Sequence, residues 1–559
     1  MSTSTAVAFV RQAEHYIAVG NPNEAVRSLI GAVRSCEVAL KTQPNDFGTI
    51  TLLGSCLVRL GRLPEATACF RRAISLNPSV ASVHQNLGLA LLHQSNFDAA
   101  MGAFQQAIVL DPANATHSYA NLGLIHLRRS EPAQAAILFR QAYECEPVTP
   151  MGVFNLARAC FYDGNLNEAE TALREATRLE PAFADAHRLL AQILQQQGRF
   201  EHAEASLWRL IELDPNGGQA YRAIATGRKM TENDRPLIQQ MRAVLQTGKT
   251  TPADECALHY ALGKSLDDLG EYEAALSEYD RANALAAKTL LAGRPFDRKK
   301  LESAYDHAVK IFTKDFFVRH RHLGSESDMP IFIVGMMRSG TTLTEQIVSC
   351  HPGVGAGGEL SFWARGGLVG LDPSKAAIDQ DRLREIQNEY LTLLREIAPD
   401  KAHVTDKRNS NRFFLGQIHV AFPRAKIIHC RRNPVDNALS IYMTPNASPV
   451  EFAHVRETIV FAYQEYERLM LHYQEVLPAG TILEVQYEAL VADRETQTRR
   501  IIDFLGLEWN DACVRHQENT RTVSTPSLWQ ARQPIYKTSA ERWKKNQPWL
   551  GAFNDLLTE

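Results

Sequence analysis

A set of small, aromatic and proline residues returns about every 34 positions through the first half of this 559-residue chain. One copy has its five marker residues at Gly61, Ala66, Phe70, Ala73 and Pro78. The prolines of four further copies are Pro112, Pro147, Pro181 and Pro215, and partial copies begin at Gly20 and Gly270. Five aligned positions do not recur this often by chance, so the pattern predicts an array of structural repeats.

Each marker suits a pair of antiparallel helices. Small residues let the helices approach, the large apolar residue fills the space between them, and the proline ends the second helix. The pattern resembles the tetratricopeptide repeat, which implies an all-α superhelix of roughly seven or eight units. The stretch 217–251 fits poorly and indicates a degenerate repeat or an irregular helical pair. The resemblance implies a groove for a peptide or protein partner, with a spacer or dimerisation platform as the alternative.

Composition excludes several classes of protein. The net charge of −3 gives no basic field for nucleic acid. No run of about 18 apolar residues is present, so we expect no membrane span. The nine cysteines are an odd number without a C-x-x-C pair, which favours reduced thiols, no metal site and a cytoplasmic location. The oligomeric state stays open, a homodimer included.

The remainder of the chain has an α/β pattern. We predict a repeat array over 1–293, a helical linker over 294–328 and an α/β domain over 329–559. Strands are predicted at Ile331–Val334, His403–Asp406, Lys426–His429 and Thr481–Val485. Helices are predicted between them, notably at Asp381–Ile397, Arg412–Ala421 and Pro449–Val476. This alternation favours a central parallel sheet, whose ligands bind beyond the carboxyl ends of the strands.

A glycine-containing loop follows the first of these strands. Gly335 and Gly340 have the spacing of a P-loop, but Thr341 stands where a P-loop has its lysine. A positive charge is supplied by Arg338 inside the loop. Such a loop before a helix predicts an anion site, with an ordinary strand–turn–helix connection as the alternative. The loop residues expected to bind the anion are Arg338, Ser339, Gly340, Thr341 and Thr342.

A second motif follows the strand that begins at Lys426. Arg432 and Ser440 flank a predicted helix start, where Pro434 suits the first turn and either Asn433 or Asp436 is suited to the cap. Arg432 and Ser440 together could bind a further phosphate group. The alternative for this motif alone is a capped, solvated helix start.

These two motifs, in this order and at strand ends, resemble the sulfotransferase family, and most closely the tyrosylprotein sulfotransferases. The resemblance covers most of 329–545 and implies a P-loop-like α/β domain. It also implies 3′-phosphoadenosine 5′-phosphosulfate as the donor, without a metal. In that comparison the loop around Arg338 holds the 5′-phosphosulfate, and Arg432 with Ser440 holds the 3′-phosphate.

Further residues take roles from the same resemblance. Glu359 is the implied general base and Lys407 the implied catalytic lysine. Ser527 and Arg542 match a serine and a basic residue that contact the donor, and Tyr487 matches a tyrosine near the adenine. Arg338 and Ser527 are also counted with the catalytic groups, because both would balance charge on the leaving group.

The sequence departs from the tyrosylprotein sulfotransferases at two places. The run from Gly358 to Ser361 lacks the arginine that helps those enzymes hold acidic peptides. Ala356 and Thr405 stand where those enzymes have a cysteine pair. The acceptor is therefore either a protein or peptide tyrosine, or an alcohol on a carbohydrate or small molecule.

We predict a sulfotransferase whose repeats recruit the acceptor or a partner. The alternative is a repeat scaffold whose C-terminal domain only binds the nucleotide. An ATP-dependent kinase is disfavoured because Thr341 replaces the P-loop lysine.

Overall fold

The computed structural model describes residues 3–145, 149–291, 296–365, 378–446, 450–515 and 540–557. The chain divides into two compact units, Met1–Ile193 and Leu194–Glu559. These units do not test the domain limits predicted from the sequence, which stay a prediction.

Sixteen helices precede residue 291 in the described part of the chain, and most form antiparallel pairs. In order, α1 to α16 span Thr3–Ala18, Pro22–Thr42, Phe47–Arg59, Leu63–Leu76, Ala81–His93, Phe97–Leu110, Thr116–Arg128, Pro132–Cys145, Pro150–Tyr162, Leu166–Leu179, Ala184–Gln196, Phe200–Leu213, Gly218–Gly227, Arg235–Gln246, Pro252–Asp268 and Tyr272–Leu290. The predicted all-α repeat region is therefore confirmed.

The marker positions have the local structure that their chemistry suggests. The first marker lies in a left-handed turn in every copy, at φ +73° for Gly61 and +60° for its counterpart Ser95. Phe70 is fully buried between its helices. A glycine that the sequence reading did not single out makes room for it, because a Cβ at Gly54 would lie 2.6 Å from the Phe70 ring. Gly88 is placed in the same way against Phe104.

The stretch 217–251 forms two helices, α13 and α14, with a short 3₁₀ turn over Glu232–Asp234 between them. A Cβ at Gly218 would collide with the backbone carbonyl of Asp254, so α13 lies directly against the start of α15. The stretch is therefore a pair of helices whose first member has a close contact that only glycine permits.

The C-terminal part contains five strands and eleven further helices among the described residues. The strands β1 to β5 span Pro330–Gly335, Val354–Ala356, His403–Asp406, Lys426–Arg431 and Ile482–Gln486. The helices α17 to α27 span Arg298–Ile311, Lys314–His320, Thr341–Val348, Phe362–Arg365, Gln380–Ile397, Leu415–Ala421, Pro434–Tyr442, Arg456–Val476, Tyr487–Ala492, Arg494–Phe504 and Arg542–Lys545.

The five strands form one parallel sheet in the order β2-β3-β1-β4-β5. All six residues of the central strand β1 are buried. Its side chains alternate, so that Phe332 packs in one core cluster and Ile331 and Ile333 in another. The predicted central parallel sheet is confirmed, and the loops that follow its strands emerge at the same edge.

Three details differ from the prediction. Strand β2 was not predicted, because its three residues are too few to give a pattern. The helix expected from Pro449 begins at Arg456, since Val455 has an extended backbone. The helix expected from Arg412 begins as a 3₁₀ turn over Asn409–Phe414 and becomes α22 afterwards.

Candidate active site

The loop between β1 and α19 has an unusual backbone. Arg338 has φ +69° and Gly340 has φ +100°. A positive φ costs free energy in an arginine, and such residues concentrate at functional sites. The helix α19 begins immediately afterwards at Thr341, and the N–H groups at the start of a helix suit an anion.

Both glycines of the loop are required by close contacts. A Cβ at Gly335 would lie 2.5 Å from the Cys430 carbonyl oxygen on the neighbouring strand. A Cβ at Gly340 would lie 2.7 Å from the ring of Tyr487. The glycine spacing therefore reflects the crowding of this loop between β4 and the start of α25.

The polar side chains of the loop differ in their surroundings. The Ser339 hydroxyl is buried and has no hydrogen-bond partner among the residues that the structure describes. Such a hydroxyl costs free energy unless a ligand satisfies it. The Thr341 hydroxyl donates to Asn409 Oδ1 at 3.3 Å, and Thr342 is also buried. An anion with several acceptor oxygens fits the Ser339 hydroxyl and the helix start together.

The second motif lies beside this loop. The Arg338 Nε donates to Ser440 Oγ at 3.3 Å, across 102 positions of sequence. The Arg432 guanidinium donates to the Arg338 carbonyl oxygen at 3.2 Å. Asn437, which the sequence reading missed, donates its amide to the Met337 carbonyl oxygen at 3.1 Å. The structure thus brings together the two motifs that the sequence analysis singled out separately.

Asn433 is the residue that caps α23. Its side-chain oxygen accepts hydrogen bonds from the backbone N–H groups of Val435 and Asp436, both at 3.1 Å. Asp436, the other candidate cap, has a different role: it accepts from the backbone N–H groups of Glu541 at 2.7 Å and Trp543 at 2.8 Å. It therefore fixes the C-terminal segment against the start of α23.

Tyr487 forms one wall of the site. Its ring contacts Gly340, as described above, and the Arg432 guanidinium carbon lies 5.0 Å from its ring centroid. This distance is in the range of a cation–π contact. The tyrosine therefore lies between the glycine-containing loop and the second motif.

Glu359 and Lys407 form an ion pair, with Lys407 Nζ 2.7 Å from Glu359 Oε1. The lysine directly follows β3 and is 1% exposed, whereas the glutamate side chain is 51% exposed. Burial makes an ammonium group depend on its partner carboxylate. The structure therefore places the predicted base and the predicted catalytic lysine within direct contact.

A buried glutamate that the sequence analysis missed supports this pair. Glu345 Oε1 accepts from the Gly358 N–H and from the Thr405 hydroxyl, both at 3.0 Å. Glu345 is almost fully buried. It joins α19 to the segment that carries Glu359 and to β3, which leads into Lys407. The signal was one acidic residue on a short helix that also carries three threonines and a glutamine, which a solvated position would explain equally well.

Asp406 is the last residue of β3 and directly precedes Lys407. Burial raises the pKa of its carboxyl group to about 7, and a hydrogen bond from Tyr390 at 2.9 Å opposes part of that shift. A group with this pKa is partly neutral near pH 7. Charge beside the buried Lys407 therefore depends on pH.

Two predicted donor contacts belong to the C-terminal segment. Arg542 forms an ion pair with Asp267 on α15. Its backbone neighbours are bonded to Asp436, so Arg542 lies near the start of α23. Ser527 lies outside the described residues.

Two further findings concern only the described residues. No group of three or more histidine, cysteine, aspartate or glutamate side chains is arranged there to hold a metal ion. Within the same residues, no helix is long and apolar enough to cross a membrane.

Comparison with known proteins agrees with this architecture. Residues 330–511 match the model of the sulfotransferase family. Residues 51–115, 161–226 and 257–289 match tetratricopeptide repeat models. The chain therefore combines tetratricopeptide repeats with a sulfotransferase-family domain.

Curated relatives match over parts of their length. An uncharacterized protein of Aquifex aeolicus is 27% identical over 70% of this chain and 52% of its own length. Protein-tyrosine sulfotransferase 1 of Danio rerio is 28% identical over 34% of this chain and 57% of its own length. The chain thus spans about half the length of these relatives. A solved structure of PilF from Pseudomonas aeruginosa is 19% identical over 40% of this chain and 98% of its own, with a TM-score of 0.33.

Proposed function

We propose that the protein transfers a sulfuryl group from 3′-phosphoadenosine 5′-phosphosulfate to a hydroxyl group. The observation that carries the proposal is the convergence of Arg338, Arg432 and Ser440 on one loop at the carboxyl edge of the sheet. Two arginines and a crowded glycine loop suit a ligand with two separate phosphate-type groups. A nucleoside triphosphate would call for the P-loop lysine, and Thr341 stands in its place.

The donor would contact residues that follow three strands, β1, β4 and β5. The loop around Arg338 and the buried Ser339 hydroxyl would hold the 5′-phosphosulfate. Arg432 and Ser440 would hold the 3′-phosphate, and Tyr487 would lie near the adenine. Supporting this assignment, these side chains are buried or partly buried, Arg338 is hydrogen bonded to Ser440, and Arg432 lies over the ring of Tyr487.

The transfer needs one proton acceptor and one cation. The acceptor oxygen forms a bond to sulfur while the bond between sulfur and the bridging phosphate oxygen breaks. Glu359 takes the acceptor proton, which is worth ~10²–10⁴-fold in rate for a positioned base. Lys407 balances the charge that remains on the departing 3′,5′-adenosine diphosphate. The 2.7 Å ion pair supports this division of roles, because the two groups lie at one point.

A protein or peptide tyrosine is the favoured acceptor. Relatives named protein-tyrosine sulfotransferases support it, and a phenol with a pKa near 10 needs a base at neutral pH. A carbohydrate or small-molecule alcohol is the alternative, since the run from Gly358 to Ser361 lacks an arginine for acidic peptides. The repeats would recruit the acceptor or its carrier protein, in the cytoplasm.

Nucleotide binding tests the proposal. At 100 times its dissociation constant, 3′,5′-adenosine diphosphate should stabilise the protein by about 2.7 kcal/mol in thermal unfolding. The Arg432→Ala variant should lose this response. Arg431→Ala is the matched control, because the neighbouring Arg431 forms an ion pair with Glu467, with 2.7 Å between the guanidinium nitrogen and the carboxylate oxygen. Stabilisation by ATP but not by the bisphosphate would contradict the proposal.

Transfer of a labelled sulfuryl group from the donor onto a cell lysate then identifies the acceptor. Label in protein, glycan or small-molecule fractions distinguishes the acceptor classes. Nucleotide binding without any transfer would favour the alternative, a scaffold that only binds the nucleotide.

A further inference from the structure

The last helical repeat, formed by α15 and α16, is hydrogen bonded to α23, the helix that carries Ser440. The Tyr442 hydroxyl at the end of α23 donates to Asp280 Oδ1 on α16 at 2.6 Å. Arg456, at the start of α24, forms an ion pair with the same carboxylate. Asp280 therefore accepts from two elements of the sulfotransferase-family domain.

A buried amide makes a second connection at the same place. The side-chain N–H₂ of Asn283 donates to the carbonyl oxygens of Tyr279 and Tyr442, both at 2.9 Å. Its oxygen accepts from the Tyr260 hydroxyl at 2.9 Å and from His454 at 3.0 Å. An amide that uses all its bonding capacity in a buried setting tolerates little displacement of its partners. Asn283 thus fixes the position of the last turn of α23.

The other end of α23 is tied to the same repeat. Asp436 in its first turn accepts from the backbone N–H groups on either side of Arg542. The Arg542 guanidinium in turn forms its ion pair with Asp267, in the last turn of α15. Both ends of α23 are therefore connected to α15 or α16 by directional polar bonds.

Directional bonds constrain α23 more closely than apolar packing does. Side chains of the repeat and of α23, such as Leu276 and Leu439, share one buried cluster, and apolar contacts alone permit small rotations. Hydrogen bonds lose strength steeply when their geometry changes. Ser440 lies two residues before Tyr442, so a rotation at Tyr442 moves the serine hydroxyl as well.

We propose that the α15–α16 repeat is a positioning element of the nucleotide site. Through Asp280 and Asn283 it holds α23 so that Ser440 and Arg432 meet the 3′-phosphate. These residues act through α23 and do not themselves contact the ligand. This inference rests on the proposed function, because it assumes a 3′-phosphorylated nucleotide at the second motif.

The test compares two nucleotides that differ only in the 3′-phosphate. Dissociation constants of 3′,5′-adenosine diphosphate and 5′-adenosine monophosphate are measured by titration calorimetry on the full chain. For Asp280→Ala we expect on the order of tenfold weaker binding of the bisphosphate, the scale of one hydrogen bond to a charged group, with little change for the monophosphate. Tyr442→Phe, which removes one hydroxyl, should show the same selective loss at roughly threefold to tenfold.

The matched control is Glu273→Gln, a charge change at an exposed position of the same helix. It should leave both affinities unchanged. Equal losses for both nucleotides, or wild-type affinities in both variants, would overturn the inference. If Asp280→Ala fails to fold, Tyr442→Phe decides the matter, with thermal unfolding as the check on folding. A wild-type protein that does not prefer the bisphosphate would instead contradict the proposed function.

Discussion

At the scale of single residues, the ion pair between Glu359 and Lys407 concentrates the proposed chemistry. The lysine is buried and the glutamate half-exposed, so the carboxylate is the member of the pair that an acceptor reaches. Glu359 Oε1 accepts a hydrogen bond from Lys407 Nζ. In the proposed reaction this bond breaks before the same oxygen accepts the acceptor proton, as it would when Lys407 turns to the donor.

Glu359→Gln tests the base directly. The variant should retain affinity for 3′,5′-adenosine diphosphate and lose at least ~10²-fold in the turnover number, because an amide cannot accept the proton. Turnover is measured with labelled donor, and affinity by titration calorimetry. Glu385→Gln, at an exposed position on α21, is the control. Turnover equal to wild type would remove Glu359 from the base role.

Asp406 predicts a dependence of stability on pH. Its pKa of about 7 in the folded protein lies above the ordinary value of 3.8. Between about pH 4 and pH 7 the folded protein therefore retains a proton that the unfolded chain has lost. The contribution of Asp406 to the free energy of unfolding falls as pH rises through this window, by up to about 1.4 kcal/mol per pH unit.

The measurement compares urea unfolding of wild type and Asp406→Asn from pH 4 to pH 8. The variant should gain stability relative to wild type as pH rises, because it has no carboxyl group to titrate. Burial also lowers the pKa values of His419 and His429 to about 4. Their effect on the free energy of unfolding is the same in both proteins, so it cancels when the two are subtracted. A difference that does not change with pH would contradict the prediction.

The residues proposed to contact the donor or the acceptor could be predicted from the sequence, whereas the buried residues that hold them in place by hydrogen bonds could not. Arg338, Arg432 and Ser440 were predicted from their residue types and their positions after strands, and Glu359 and Lys407 from the resemblance to the tyrosylprotein sulfotransferases. Glu345 and Asn437 were missed, since a polar residue among other polar residues on a short helix gives no sign that it will be buried. Their importance comes from hydrogen bonds across 13 and 100 positions, which only the folded chain reveals.

At the scale of secondary structure, helix packing in the repeats depends on glycines opposite aromatic rings. Gly54 and Gly102 are both within helices, α3 and α6. A Cβ at Gly54 would press into the Phe70 ring at 2.6 Å, whereas a Cβ at Gly102 would meet nothing within 4 Å. Replacement of glycine by alanine should therefore change the free energy of unfolding in opposite directions at the two positions.

Gly54→Ala should lower the free energy of unfolding by about 1–3 kcal/mol, the usual cost of overpacking. Gly102→Ala should raise it by about 0.5–1 kcal/mol, because alanine favours the helix. Chemical unfolding followed by circular dichroism measures both. Equal changes at the two positions would show that the Phe70 ring adjusts without cost.

Most elements could be predicted because they are long and periodic. Five copies of the repeat have all five marker positions, and β1 has an apolar run of sufficient length. Strand β2 could not be predicted, because three residues acquire a strand conformation only by pairing with β3. The close contact between α13 and α15 was equally hidden, since it depends on the absence of a side chain at Gly218.

At the scale of the whole chain, Asp267 and Arg542 join positions 275 residues apart. The carboxylate is 11% exposed and the guanidinium 27% exposed. Removing one member of a largely buried pair leaves the other charge without its partner.

Asp267→Ala should therefore lower the free energy of unfolding by about 2–4 kcal/mol. Asp98→Ala is the control, because its bond to Arg129 has a carboxylate that is 92% exposed, and such pairs contribute about 0–1 kcal/mol. Differential scanning calorimetry compares the two variants. Similar stability of both would mean that the Asp267 pair is no stronger than a surface pair.

The strand order has a consequence for how the chain folds while it is being synthesised. β1 is the central strand, and both its partners, β3 and β4, come later in the chain. The repeats make contacts between neighbouring helices and can form as they leave the ribosome. Synthesis proceeds at about 5–20 residues per second. Several seconds therefore pass between the emergence of β1 and that of its partner β4, which ends at Arg431. During that interval an apolar strand is exposed without a partner, so chaperone dependence of expression should be greatest for nascent chains that end between β1 and β4.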